Sequence, residues 1–128
     1  MADLPVNLLP RQPSSPTHYI TNHNITTKIM TKHIVMFKFR DDVTADVRSA
    51  AREAFKAGIE ALPSTISFIR SVHVGFNINP AEKWDICLDS TFDNLDDVKA
   101  YSVHPAHKAV AGELMKHIGE RACVDFEL

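Results

Sequence analysis

Glycine is scarce: only Gly58, Gly75, Gly112 and Gly119 occur in 128 residues. Positions so far apart build no G-x-G-x-x-G, Walker or G-x-S-x-G arrangement, which excludes a glycine-rich phosphate cradle and the nucleotide cofactors that need one. Cysteine is rarer still. Cys87 and Cys123 lie thirty-six positions apart and match neither a CxxC redox or zinc pattern nor a disulfide framework, so free thiols in a reducing, cytoplasmic setting are expected. Basic clusters are missing too. Fourteen Lys and Arg stand against sixteen Asp and Glu, a formal charge of −2, and this is not the electrostatic footprint of a nucleic-acid binder. No apolar run approaches the ~20 residues that cross a bilayer, and the start MADLPVNLLPRQ has neither a basic n-region nor an apolar h-region. The expectation is a protein with no nucleic-acid partner, no membrane span and no cofactor.

What is present suffices for one domain, since 128 residues with 45% hydrophobic and 23% charged side chains match the size and balance of a single folded core. Residues 1–29 differ from the rest. Pro5, Pro10, Pro13 and Pro16 precede a Thr/Asn-rich stretch without helical periodicity, which buries too little to offset its ordering entropy. We read 1–29 as a flexible extension, arising as a tail or from a start upstream of Met30 rather than as a targeting peptide, and 30–128 as the domain.

Within 30–128 the patterning is regular. KHIVMFKF (32–39) alternates with apolar residues on both faces, the mark of a strand covered on two sides. Thr44 opens a helix with Val47, Ala51, Ala54, Phe55, Gly58 and Leu62 on one stripe, and Pro63 ends it. Strands follow at 69–76 and 84–92, the latter with Trp84, Ile86, Leu88 and Phe92 on one face. Asn94 caps a short helix that ends before Pro105, and His104 caps a second one reaching Gly119, with Val110, Ala111, Leu114 and Ile118 apolar. Ala122 to Leu128 is the last strand. The order βαββααβ is the split βαβ plan of a ferredoxin-like α+β sandwich, with sheet order 4-1-3-2 and the helices on one face. In that order the two cysteines stand about two strand spacings (~10 Å) apart, beyond disulfide reach. The apolar residues of the first strand that point away from the helices then need a cover. A second copy packed sheet to sheet, giving a homodimeric α/β barrel, is the simplest one.

The chemistry-bearing segment is Tyr101-Ser-Val-His104-Pro-Ala-His107. Tyr101 follows Leu95 and Val98 on an apolar stripe, and His107 precedes Val110, Ala111 and Leu114 on another, so both rings turn inward. Burial and the positive end of the helix dipole favour a neutral His107 imidazole, which is a usable base. The alternative is structural: the pair hydrogen-bonds to each other or to a backbone carbonyl and merely closes the helix break. His104 is placed as a cap and His33 could face a pocket; both are candidate substrate contacts. No third ligand joins His104 and His107, so no metal site is expected.

KHIVMFKFRDDV, IRSVHVGFNINP, STFDNLDDVKAY and HPAH, in this order over residues 32–126, resemble the stress-responsive dimeric α/β-barrel domain family. The resemblance implies a ferredoxin-like fold and a homodimer. It extends to plant polyketide cyclases of the olivetolic acid cyclase type, where a tyrosine and a histidine of Tyr-x-x-His-Pro-x-His support aldol closure; Tyr101 and His107 match those positions, while Ile86 stands where the cyclases present a histidine. The expected function is binding of a compact, partly apolar carbonyl or phenolic metabolite, with His107 as general base and Tyr101 as donor to a developing enolate. The alternative is a non-catalytic stress-associated protein. A cavity of ~300 Å³ or more touching both side chains favours the first, and a filled interior the second.

Overall fold

The computed structural model describes residues 18–22 and 25–128. The reading of residues 1–17, 23 and 24 as flexible lies outside the described residues. Two short strands in the same segment, β1 (His18–Asn22) and β2 (Ile25–Ile29), pair antiparallel with each other, as their Thr and Ile content suits. At the end of β2 the Lys28 Nζ lies 2.6 Å from an Asp93 carboxylate oxygen.

The remaining elements are β3 (Thr31–Phe39), α1 (Ala45–Glu60), a 3-10 turn (Leu62–Ser64), β4 (Ser71–Phe76), β5 (Ile86–Phe92), α2 (Leu95–Val103), α3 (Pro105–Met115) and β6 (Ile118–Glu127). The four-stranded sheet has the order β4-β5-β3-β6 with every pairing antiparallel, which is the expected ferredoxin-like split βαβ arrangement. Strict alternation along β3 turns Thr31, His33, Val35, Phe37 and Phe39 into the core and leaves Ile34 and Met36 half-buried on the other face. Residues directly opposite in a ladder share a face. The outer face therefore also carries Cys87 from β5 and Ala122, Val124 and Phe126 from β6. Val124 is 52% and Phe126 45% exposed, so the first-strand residues do belong to an apolar face that the described residues leave uncovered.

The helices begin where the sequence places them. Thr44 Oγ1 accepts from the Val47 N–H, Asn94 Oδ1 accepts from the Asp97 N–H, and His104 Nδ1 accepts from the Ala106 N–H, each satisfying an orphan donor of a first turn. Three expectations are corrected. The second C-terminal helix stops at Met115, not Gly119, because Ile118 joins the sheet opposite Phe39 and the neighbouring His117 carbonyl accepts from the Arg40 N–H; its apolar side chain fits the helical period and the ladder alike. On α1 the buried residues are Phe55 and Ile59, whereas Val47 is exposed, since the helix leans on the sheet through its C-terminal half. Trp84 precedes β5 and so escapes the alternation: it lines a cleft with Met36, Gly75 and Cys87, next to the uncovered sheet face.

α1 also closes an edge. Glu60 Oε2 accepts from the Val74 N–H at 2.9 Å and Lys56 Nζ donates to the Val74 carbonyl at 2.7 Å, so backbone groups of edge strand β4 are occupied by side chains.

Candidate functional site

His107 follows Tyr101 by six positions, and on one continuous helix such a spacing turns the two side chains about 120° apart. The helix break removes that separation. Pro105 disfavours the helical region for the residue before it, and His104 accordingly takes φ −64°, ψ 134°, so α2 ends and α3 starts in a new direction. The Tyr101 and His107 rings then meet with centroids 4.2 Å apart and planes inclined at 49°. The Tyr101 ring also lies 5.0 Å from that of Phe92 and 6.1 Å from that of His33, and the residue is 1% exposed.

The polar atoms of this cluster are unequally satisfied. His107 Nδ1 lies 3.2 Å from the Ser102 carbonyl; a carbonyl only accepts, so Nδ1 carries the hydrogen and Nε2 keeps its lone pair. The expected bond to a backbone carbonyl is thus present. The Tyr101 hydroxyl has no hydrogen-bond partner and is the buried side-chain polar atom left unsatisfied among the described residues. Burial holds the His107 imidazole below its ordinary range against the opposing pull of the Ser102 carbonyl, with smaller lowering contributions from His33, Arg121 and His104, so the neutral form is favoured. Burial likewise pushes the Tyr101 phenol well above its ordinary range, and it remains a donor at neutral pH.

His33 occupies the opposite wall, on β3. Its Nδ1 donates to Asp125 Oδ1 on β6 at 2.5 Å, so Nδ1 carries a hydrogen and the ring is held against β6. Between β3 and α3 lies a cavity of about 140 Å³ whose lining includes His33, Ser102, His107, Ala111 and Arg121. It is smaller than the ~300 Å³ expected of a ligand pocket, and Tyr101 is not among its lining residues. His33 and His107 are brought together here. His104 is not: it lies outside the cavity lining, with its Nδ1 engaged in capping. Ile86 is buried in the core, 1% exposed.

Sequence reasoning missed Ser102, Arg121, Cys123 and Asp125. The register pairs His33 with Asp125 and Val35 with Cys123. The adjacency of the first and last strands was expected, but not their register, which shifts between Lys38 and Phe39. His33 Nδ1, Cys123 Sγ and an Asp125 carboxylate oxygen all lie within 4.8 Å of one another, a set of ligand types that no local motif announces. Both cysteines are free, Cys87 facing the outer side of the sheet and Cys123 the helix side.

Residues 31–128 match the stress responsive A/B barrel domain family. A curated relative, olivetolic acid cyclase of Cannabis sativa, is 28% identical over 79 residues, which cover 59% of this chain and 74% of that one. Among solved structures, a dimeric protein of unknown function and ferredoxin-like fold from Bacteroides fragilis is 52% identical with a TM-score of 0.76, covering 77% of this chain and 96% of that one. A hydroxynitrile lyase of Passiflora edulis shares the fold with a TM-score of 0.63 at 14% identity, over 77% of this chain and 93% of that one. No helix among the described residues is long and apolar enough to cross a membrane.

Proposed function

The chain belongs to the stress responsive A/B barrel domain family, and from that premise we propose that it acts as a homodimer that binds a compact, partly apolar carbonyl or phenolic molecule between its sheet and its helices. The observation that carries the reading is the Tyr101 hydroxyl, buried without a partner against a histidine that lines a cavity. A buried hydroxyl without a hydrogen bond costs about 1–3 kcal/mol, and a purely structural helix break has no reason to carry that cost when phenylalanine would fill the same space. A ligand oxygen would supply the missing partner once small movements of the lining open the cavity to Tyr101, which is not among its lining residues.

The same groups support acid–base chemistry. His107 Nε2 would take a proton from the carbon next to a ligand carbonyl, and the Tyr101 hydroxyl would donate a hydrogen bond to the oxygen on which enolate charge develops. His33, held by Asp125, and Arg121 would set the polar end of the cavity against the apolar walls of Val35 and Ala111. The similarity to a polyketide cyclase supports this chemistry, while the cavity volume points to molecules much smaller than a polyketide. Similarity to a protein described as dimeric and the uncovered outer face of the sheet support the homodimer.

A second reading, a non-catalytic stress-associated protein, is favoured by the small cavity and by the bond from His107 to the Ser102 carbonyl. The thermal midpoint separates the two, measured for wild type, Tyr101→Phe and His107→Ala against a library of small carbonyl and phenolic compounds at fixed protein concentration. The proposal expects at least one compound to raise the wild-type midpoint and both substitutions to abolish that rise. A library that never shifts wild type, with both substitutions lowering the unliganded midpoint, makes the pair structural.

A further inference from the structure

Cys123 and Asp125 sit two residues apart on β6, on the same side of the strand as His33 on the neighbouring β3. We propose that His33, Cys123 and Asp125 form a binding site for one borderline-soft divalent cation, of which Zn²⁺ is the best match. The donor set is one imidazole nitrogen, one thiol and one carboxylate, the mixture of ligands that zinc takes in tetrahedral sites, and three protein ligands leave a fourth position for water or a small molecule. Ionised Cys123 and Asp125 bring two negative charges against the two positive charges of the ion.

The geometry needs little adjustment. Tetrahedral zinc with ordinary bond lengths holds neighbouring nitrogen and sulfur ligands roughly 3.5 Å apart; Cys123 Sγ lies 3.7 Å from His33 Nδ1. Asp125 Oδ1 at 2.5 Å from the same nitrogen must withdraw by roughly 1 Å to reach its own ligand position. Its side chain retains 30% of its surface and can turn, whereas the His33 side chain is 6% exposed and anchors the site. The sheet gives the site rigidity, because two ladder partners hold the three Cα positions, and the exposure of Cys123 gives an ion a path in.

Binding redistributes protons in a defined way. His33 Nδ1 gives up its hydrogen so that its lone pair faces the ion, and the Cys123 thiol loses its proton to solvent. Burial first, then the neighbouring Asp125 charge, hold that thiol above its ordinary range, with the Arg121 guanidinium acting in the opposite direction. Binding therefore competes with protons, and the affinity rises with pH. The site shares His33 with the cavity wall but does not depend on a carbonyl ligand occupying the cavity.

The test uses the full chain, stripped with a chelator, kept reduced and titrated with Co²⁺ and then Zn²⁺. The expected result is one ion per protomer, a thiolate-to-cobalt charge-transfer absorption, and displacement of cobalt by zinc. Cys123→Ser should abolish the absorption. Asp125→Asn should keep it while weakening binding by at least ~10–100-fold, the scale on which even outer-shell partners act. Cys87→Ser, altered on the opposite face of the sheet, should bind like wild type. The proposal is overturned by binding that is not stoichiometric, by an absorption that survives Cys123→Ser, or by one that is lost with Cys87 instead. Cys123 is exposed, and equal far-ultraviolet spectra of the variants establish that a lost signal is a lost ligand and not a lost fold.

Discussion

Two side chains carry the account at the residue scale, and they differ in how far the sequence revealed them. That Tyr101 and His107 turn inward was legible from their spacing to Val98, Val110 and Leu114, because a helical stripe places side chains whatever lies opposite. A bond to each other or to a backbone carbonyl was readable as the structural alternative, but not that Ser102 supplies the carbonyl nor that the phenol lacks a partner, because these depend on the angle at His104. Asp125 was invisible for a related reason: it meets His33 only through a ladder between residues ninety-two positions apart. The neutral His107 has a consequence for stability. Its imidazole is held below the ordinary value of about 6.5 in the folded state by burial, so the unfolded chain binds a proton more readily. Stability that is full above that value is then lost as pH falls through it and toward the lower folded value. Unfolding by denaturant between about pH 7.5 and 5 should show this decline in wild type and a weaker one in His107→Gln, which has no imidazole to charge. Equal slopes in the two proteins would show that His107 is not the group responsible.

Among the elements, existence and order were readable, while ends were readable only where a cap fixes them. Thr44, Asn94 and His104 are caps in sequence and in structure alike, because each carries its own acceptor to a first-turn N–H. The end of α3 was misplaced because Ile118 satisfies both a helical period and a strand ladder, and only the pairing of β6 with β3 decides between them. The approach of α1 to α3 was likewise unreadable. A Cβ built on Gly58 would lie 2.8 Å from Val110 Cγ1, so glycine sets the distance between the two helices. Gly58→Ala gains up to about 1 kcal/mol in helix propensity, but displacing a stiff β-branched neighbour costs about 1–3 kcal/mol. The expected net effect is a destabilisation of roughly 1 kcal/mol by chemical denaturation. Val110→Ala in the same chain should relieve the clash, giving a favourable coupling in a double-mutant cycle. A stabilised Gly58→Ala protein would show that the helices part at little cost.

For the whole molecule, the need to cover the outer face of the sheet was readable in the sequence, since both faces of β3 are apolar and the helices cover only one. The folded chain adds Val124 and Phe126, both substantially exposed on that face. Phe126→Asp should convert the dimer into monomer in sedimentation experiments. Under two-fold symmetry each substitution acts twice, and at about 1.5–3 kcal/mol for burying one such side chain the dissociation constant should rise by roughly 100-fold or more. A dimer of unchanged affinity would place the interface elsewhere. The most direct test of the central claim, that the Tyr101 hydroxyl serves a ligand and not the fold, is the unfolding free energy of ligand-free Tyr101→Phe against wild type at one protein concentration. Removing a hydroxyl that has no partner inside the protein should leave stability unchanged or raise it. A loss of about 1 kcal/mol, the ordinary contribution of a hydrogen bond that is made, would mean that the hydroxyl is already satisfied within the fold, and the ligand reading would fail with it.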